Sequence, residues 1–445
     1  MPGAPDTGLA DPDELAGRFE QLLQFDSVLL AVSGGSDSVA MLRLVGLWAA
    51  RAPKPGPTIT VATVDHGLRD GSADEAEFVA QLASSLGYQH STLSWRGTKP
   101  RTALQEQARE ARYRLMIDRA SKLPGKTAVL TAHTLDDQAE TVLMRLARGS
   151  GPDGMAAIPS ELPRDGVVIL RPLLDVGRSE LRTFLSELGQ AWRDDPSNSL
   201  ADFERIRVRN AQSERSQLEL TDKALAQTAK RMHRASQSLQ QVSRELLSST
   251  ARGQDLLCFG VFAWCPENMA KYGAEIGIRC LRQVVQLIGG STTEPSLGQV
   301  ESLYGQTRDD SFRGTTLHGA RLVREPSAIT SGRLLIMRET GRKGLPTLTI
   351  QPDLHTLWDQ RFAVRVSSDI GQGFSIGPLR REELAELDLR SRASFPGLSN
   401  DMANEVLLTL PVIRHGDRVQ NLPHFEAGDG KIEIDPDQFS GRFMR

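Results

Sequence analysis

The chain has 445 residues, 39% of them hydrophobic and 24% charged, and a formal net charge of −3. That length supports two or three domains with substantial cores, and the composition excludes the disordered and fibrous classes. No apolar run approaches the length of a membrane span, and Met1 to Asp13 lacks the basic-then-apolar order of a secretory signal, so a cytoplasmic protein without a membrane partner is expected.

Leu15, Phe19, Leu22 and Leu23 recur at helical spacing and predict a short helix over residues 14 to 24, after about thirteen residues expected to be disordered. An apolar run from Val28 to Val32 then breaks at Ser33-Gly34-Gly35-Ser36-Asp37-Ser38 and resumes as an apolar helical pattern through Val39, Met41, Leu42 and Val45. This is strand, tight loop, helix. Gly34 and Gly35 have no Cβ, so the backbone can turn sharply and approach a ligand. The serine hydroxyls add donors beside the free N–H groups of the helix start, an arrangement suited to phosphate. A bare Gly-Gly pair would instead be an ordinary turn.

Thr58 to Val64 alternates β-branched residues as a second strand and ends at Asp65-His66-Gly67-Leu68-Arg69. A carboxylate and an imidazole at the C-terminal tip of a parallel strand lie where open α/β sheets bind ligands. Ser72 and Glu75 form a capping box for a helix that runs to about Leu86 and stops at Gly87, and His90 to Trp95 predicts a third strand. The helix expected over Thr102 to Ser121 lies in a stretch, Lys99 to Lys122, with seven basic residues against three acidic ones. Lys126 to Thr131 predicts a fourth strand. It opens into Ala132-His133-Thr134-Leu135-Asp136-Asp137-Gln138-Ala139-Glu140-Thr141, and the following helix carries Val142, Leu143, Leu146 and Ala147 as its apolar stripe.

Strands alternating with helices at this spacing predict an α/β fold with a doubly wound parallel sheet, whose right-handed crossovers bring both acid-rich turns to one edge with the Ser-Gly loop. Carboxylates in the first turn of a helix also favour its macrodipole, which accounts for any one of Asp136, Asp137 and Glu140 taken alone. Asp137 and Glu140, three apart on one face, are in addition spaced to share a cation or an ammonium group. Farther on, Leu225, Ala229, Met232, Leu239, Val242 and Leu246 form one helical stripe. Cys258, Cys265 and Cys280 form no C-x-x-C pair and leave an odd count, which supports neither a disulfide framework nor a zinc site.

The SGGSDS loop after a strand resembles the PP-loop of the N-type ATP pyrophosphatases; it is no Walker A loop, because no Gly-Lys-Ser/Thr follows. Further blocks follow in order: DHGLR at 65, Ala108-Arg109-x-x-Arg112-Tyr113, H-x-x-DDQAET from His133, RGSG at 148, Arg171-Pro-Leu-Leu, and Trp192-Arg-Asp-Asp-Pro-Ser-Asn198 with Arg205, Arg207 and Arg209. Together, from Ser33 to Arg209, they resemble the bacterial tRNA(Ile)-lysidine synthetases. Thr134 departs from the many relatives with a second histidine there, so no role is carried to it.

The resemblance implies an ATP-dependent ligase that uses Mg2+. It would adenylate the wobble cytidine of the isoleucine tRNA with a CAU anticodon and let the ε-amine of L-lysine displace AMP, giving lysidine. ATP would be held by Ser33, Gly34, Gly35, Ser36, Asp37 and Ser38 with Asp65, His66 and His133, and the metal by Asp37 and Asp137. Asp37, Arg112, Asp137 and Glu140 would be catalytic, and Arg109, Arg145, Arg148, Arg205 and Arg207 would contact tRNA. The implied organisation is a PP-loop catalytic domain at 1–215, a helical connector at 216–250, a first C-terminal tRNA-contacting domain at 251–344 and a second, α+β and largely extended, at 345–445. Helix Ala274 to Ile288 and a strand pair near Gly319–Leu322 and Arg333–Arg338 are expected in the third part. Relatives are often homodimers, although no interface stripe is assignable here. Two other readings stay open. One is a different PP-loop enzyme, such as a tRNA thiolase, although all three cysteines lie past residue 250; the other is a non-catalytic, nucleotide-dependent tRNA-binding protein on the same fold.

Overall fold

The computed structural model describes residues 8–52, 55–65, 67, 72–95, 104–193, 207–208, 215, 217–324, 333–341, 344–389, 395, 398–426 and 430–443, with side chains omitted at 72–73 and 104–106. The chain divides into two compact units, Met1–Ser236 and Gln237–Arg445.

Unit 1 is built on a six-stranded sheet: β1 (Ser27–Ala31), β2 (Thr58–Asp65), β3 (Gln89–Ser94), β4 (Thr127–Leu130), β5 (Glu161–Arg164) and β6 (Val167–Leu170), in the spatial order β3-β2-β1-β4-β6-β5. β3, β2, β1, β4 and β6 pair in parallel, and β5 closes the edge antiparallel to β6. The parallel sheet is therefore as the strand-helix alternation predicts, with one addition: the β5–β6 hairpin. Its turn is Asp165-Gly166, with φ of 49° and 81°. An Asp-Gly pair with both residues left-handed is the favoured two-residue hairpin turn, so the local chemistry for it is present in the chain.

Side chains of β1 alternate between two cores. Val28 and Leu30 pack with α1 (Pro12–Phe19), α2 (Ser36–Ala49), α3 (Ser72–Ser85) and α7 (Arg178–Glu187), whereas Leu29 packs with Tyr113, Met116 and Ile117 of α4 (Leu104–Ala120). A strand buried on both faces needs apolar residues at every position, and Val28-Leu29-Leu30 provides them. α5 (Leu135–Ala147) follows β4 and packs Ala139 and Val142 against Ala157, Leu225 and Ala229.

Several expectations need correction. Leu146 and Ala147, expected on the apolar stripe of α5, and Val242, expected on the later stripe, are exposed. Leu9 and Ala10 are buried in the core, and α1 begins at Pro12, capped by the Asp11 side chain, so order starts earlier than the composition of the first thirteen residues implies. Residues 20 to 24 form a 3-10 turn instead of continuing α1. The predicted Ser72 cap falls on a side chain outside those described.

The boundary between the units falls within a 30-residue helix, Asp222–Ala251, that extends the predicted stripe at both ends. Among the described residues, unit 2 carries helix Ala274–Ile288 as predicted and three small sheets. Antiparallel pairing of Ala320–Arg324 with Leu334–Arg338 answers the expected strand pair. Parts of 251–344 and of 345–445 share one hydrophobic cluster, from Leu257 and Trp264 to Trp358, Phe362 and Phe443. Among the described residues no helix is long and apolar enough to cross a membrane.

Candidate functional site

From β1 the chain goes to β2 and β3 on one side of it and then returns to β4 on its other side, so the strand order reverses between the neighbours β1 and β4. Open α/β sheets bind ligands at such a switch point, beyond the C-terminal strand ends. The loops that leave β1 and β4 are the Ser-Gly loop and the His133–Asp137 turn.

The Ser-Gly loop is ordered by its own hydroxyls. The Ser33 N–H donates to Ser38 Oγ at 3.1 Å, and the Ser38 hydroxyl donates to the Gly35 carbonyl at 2.9 Å. Gly34 has φ of +93°, in the region that favours glycine. Its carbonyl accepts the Arg193 N–H at 2.9 Å, so the Trp192–Arg193 segment lies along the loop. Gly35 occupies the cap position of α2 without a side chain, and Asp37 stands in that helix's first turn, where its charge suits the macrodipole.

The acidic residues have separate tasks. Asp136 Oδ2 accepts the backbone N–H of Arg178 at 2.9 Å and so caps α7, whose own cap residue, Gly177, has no side chain. Asp137 forms a capping box with Thr134: Oδ2 accepts the Thr134 N–H at 2.8 Å and its hydroxyl at 2.9 Å. Asp37, Asp137 and Glu140 then converge on a single guanidinium. Arg178 places Nε 3.2 Å from Asp37 Oδ2, Nη2 2.5 Å from Asp137 Oδ1 and Nη1 3.2 Å from Glu140 Oε1. Carboxylates from α2 and α5 are thus joined by a cation from α7.

Electrostatics follows from that geometry. Burial pushes the Asp37 carboxyl up, and the Arg178 charge only partly offsets this because Asp137 is also near. Burial would raise Asp137 as well, but Arg178, His133 and the Thr134 hydrogen bonds outweigh it and hold that carboxyl below the ordinary aspartate value. Arg178 loses stabilisation by burial and regains more from Asp137, Glu140 and Asp37, so it stays charged.

The other expected residues are placed as follows. Asp65 ends β2, one strand away from the loop, and accepts the Gly67 N–H at 2.8 Å. His133 follows β4, with Nδ1 3.0 Å from Thr131 Oγ1. Arg109 and Arg112 are exposed on α4, in the half nearer the tip of β3. The Arg109 guanidinium lies 5.3 Å from the centre of the Tyr113 ring. Arg145 and Arg148 close α5, and Arg148 is eleven residues beyond Asp137, which is about 16 Å along the helix. Arg145 donates to the carbonyls of Gly154 at 2.7 Å and Ala157 at 2.9 Å, tying down the segment after RGSG. Arg207 is exposed. His66 and Arg205 lie outside the described residues.

Three arginines at the site carry no role in the sequence reading: Arg178, Arg182, whose Nε lies 3.4 Å from Ser36 Oγ, and Arg193, a member of the Trp192–Asn198 block, whose guanidinium stacks 5.0 Å from the Phe78 ring centre. One clue to Arg178 was available. A cation at the first position of a helix opposes the macrodipole and calls for a nearby anion.

Carboxylate oxygens are the donors Mg2+ prefers, and it commonly takes one or two of them together with substrate phosphates. Asp37 and Asp137 fit that pattern. Among the described residues, no three Asp, Glu, His or Cys side chains are gathered to hold a metal by themselves.

Residues 13–215 match the family model described as the PP-loop domain, so the sheet and the Ser-Gly loop are those of a PP-loop domain that uses ATP. The tRNA(Ile)-lysidine synthase of Rhodopseudomonas palustris is 44% identical over 280 residues, covering 62% of this chain and 79% of that protein. That of Bradyrhizobium diazoefficiens is 41% identical over 295 residues, covering 64% and 79%. That of a Methylobacterium strain is 38% identical over 346 residues, covering 75% and 96%. The chain belongs to the tRNA(Ile)-lysidine synthase family.

Proposed function

We propose that the protein ligates lysine to C2 of the wobble cytidine in the CAU anticodon of isoleucine tRNA, consuming ATP and releasing AMP and pyrophosphate, which converts decoding from AUG to AUA. Family membership supports the overall reaction. The convergence of Asp37, Asp137 and Glu140 beside the Ser-Gly loop is the observation that carries the site assignment.

The 2-oxygen of a pyrimidine is a poor leaving group, and adenylation turns it into AMP. Ser33 to Ser38 hold the triphosphate, with Asp65, His66 and His133 around the nucleotide. Mg2+, when bound by Asp37 and Asp137, offsets charge on the phosphates. Asp137 and Glu140 orient the lysine ammonium and assist loss of its proton, because only the free amine attacks. Arg112 contacts the nucleotide phosphate or the activated base. The cytidine must leave its stack to react, and Arg109, Arg148, Arg205 and Arg207 contact the tRNA backbone around it. For Arg145 such contact would add to its bonds with Gly154 and Ala157.

We further propose that residues 1–215 are the catalytic part, 216–250 the connector, and 251–344 and 345–445 the parts that hold the tRNA arm, in a cytoplasmic protein that works as a homodimer. Light scattering of the purified protein tests the dimer. The reaction is tested by mixing protein, Mg-ATP, labelled lysine and unmodified CAU-anticodon tRNA. Label in the tRNA with stoichiometric AMP is expected, and AMP or tRNA binding without label would reject the ligase reading.

A further inference from the structure

Arg178 does more than neutralise its neighbours. Its three guanidinium nitrogens reach three different carboxylates, at 3.2 Å for Asp37, 2.5 Å for Asp137 and 3.2 Å for Glu140, so the planar group fills the space among them. These carboxylates come from two helices on opposite sides of the β1–β4 switch point, and without a cation between them they would repel one another. A magnesium-sized ion on Asp37 and Asp137 would sit about 2.1 Å from their oxygens, which is the space that Nε and Nη2 now fill. The arginine backbone is held independently, because its N–H is bonded to Asp136. The side chain, 20% exposed, can therefore turn away while α7 stays in place.

We propose that Arg178 is the resident counter-ion of this cluster, and that its guanidinium and a divalent cation occupy Asp37 and Asp137 in turn, never together. This rests on the reading of the site as one that uses Mg-ATP. The exchange makes metal binding depend on nucleotide. Alone, a divalent ion must displace a guanidinium held by three carboxylates; with a triphosphate, the added negative charge favours the ion and gives the released arginine a new partner. Arg178 is accordingly a positioning residue.

The test is titration of the full-length protein with Mn2+, free of nucleotide and tRNA, with free ion counted by electron paramagnetic resonance. Arg178→Met is expected to bind Mn2+ at least tenfold more tightly than wild type, and adding Asp137→Asn should return the affinity to the wild-type level. Arg178→Lys, which keeps the charge on one ammonium too small to span three carboxylates, should fall between. Equal Mn2+ affinity in wild type and a folded Arg178→Met, judged by circular dichroism and melting, overturns the proposal. If the methionine variant unfolds, Arg178→Lys decides, and no gain in affinity there overturns it equally. Lysidine formation is not a readout, so a failed exchange leaves the tRNA assay positive, and a failed tRNA assay leaves the exchange measurable.

Discussion

Thr134 donates both its backbone N–H and its hydroxyl to one oxygen of Asp137, Oδ2, at 2.8 and 2.9 Å, which leaves Oδ1 to face Arg178. A helix cap thereby fixes the rotation of a carboxylate at the site. Thr134→Val keeps the shape and removes the hydroxyl. The lost cap should cost about 1 kcal/mol of stability. A loosened Asp137 should lower kcat for lysine transfer by about tenfold, since small misplacements of reacting groups are expensive. Thr134→Ser should restore both. A valine variant with wild-type kcat would show that Asp137 needs no such hold.

Gly34 is expected to tolerate a methyl group sterically but not conformationally. A Cβ there would meet Val79, Phe78 and Arg193 at 3.6 to 3.9 Å, which is ordinary contact, whereas φ of +93° disfavours any L side chain. Gly34→Ala should therefore destabilise the protein by about 1 to 2 kcal/mol and weaken ATP binding. Thermal melting with and without ATP measures both effects, and an unchanged melting temperature would indicate a loop that relaxes freely.

Arg145 and Arg148 are neighbours in sequence with different expected phenotypes. Arg145→Ala removes two hydrogen bonds to backbone carbonyls and should lower the melting temperature even without tRNA. Arg148→Ala should weaken tRNA binding and lower the slope of log affinity against log salt by about one, as loss of one phosphate contact does. A salt-independent wild type would remove the basis for all the arginine–phosphate assignments.

The His424 ring lies between Phe259 and Phe362, with centroids 5.7 and 5.0 Å away, and its Nε2 is 3.1 Å from the Cys258 carbonyl oxygen. Burial, with the nearby Arg361 charge adding to it and the Cys258 bond opposing, pushes the imidazole down to about 3. The unfolded chain, titrating near the ordinary value of about 6.5, therefore binds a proton that the folded one refuses. Stability is present above that value and falls as pH drops toward the folded one, by about 2 kcal/mol between pH 7 and pH 5. Urea unfolding of wild type and His424→Gln at both pH values checks this: the variant should lose most of the difference, and equal pH dependence would refute the assignment.

Much of unit 1 was legible in the chain because its signals are local. The Ser-Gly break after Val28–Val32, the β-branched alternation ending at Asp65 and the acid-rich first turn of α5 each announce an element through properties that depend only on neighbours in sequence. The β5–β6 hairpin was not predicted, because the strand-helix alternation does not call for it, although its Asp165-Gly166 turn carries the local chemistry. In unit 2 the helix Ala274–Ile288 stands out by its stripe, but the merging of two expected parts into one shared cluster does not.

The sequence by itself determined which strands and helices form, which loop suits a phosphate and which helix begins with carboxylates, because backbone propensity and side-chain period are encoded over a few residues. Only the tertiary structure decided that Arg178, 141 residues from Asp37 and 38 from Glu140, lies among those carboxylates and that Asp136 caps another helix instead of joining them. The physical reason is that charges attract through space, and which of them meet depends on how α2, α5 and α7 pack around the switch between β1 and β4.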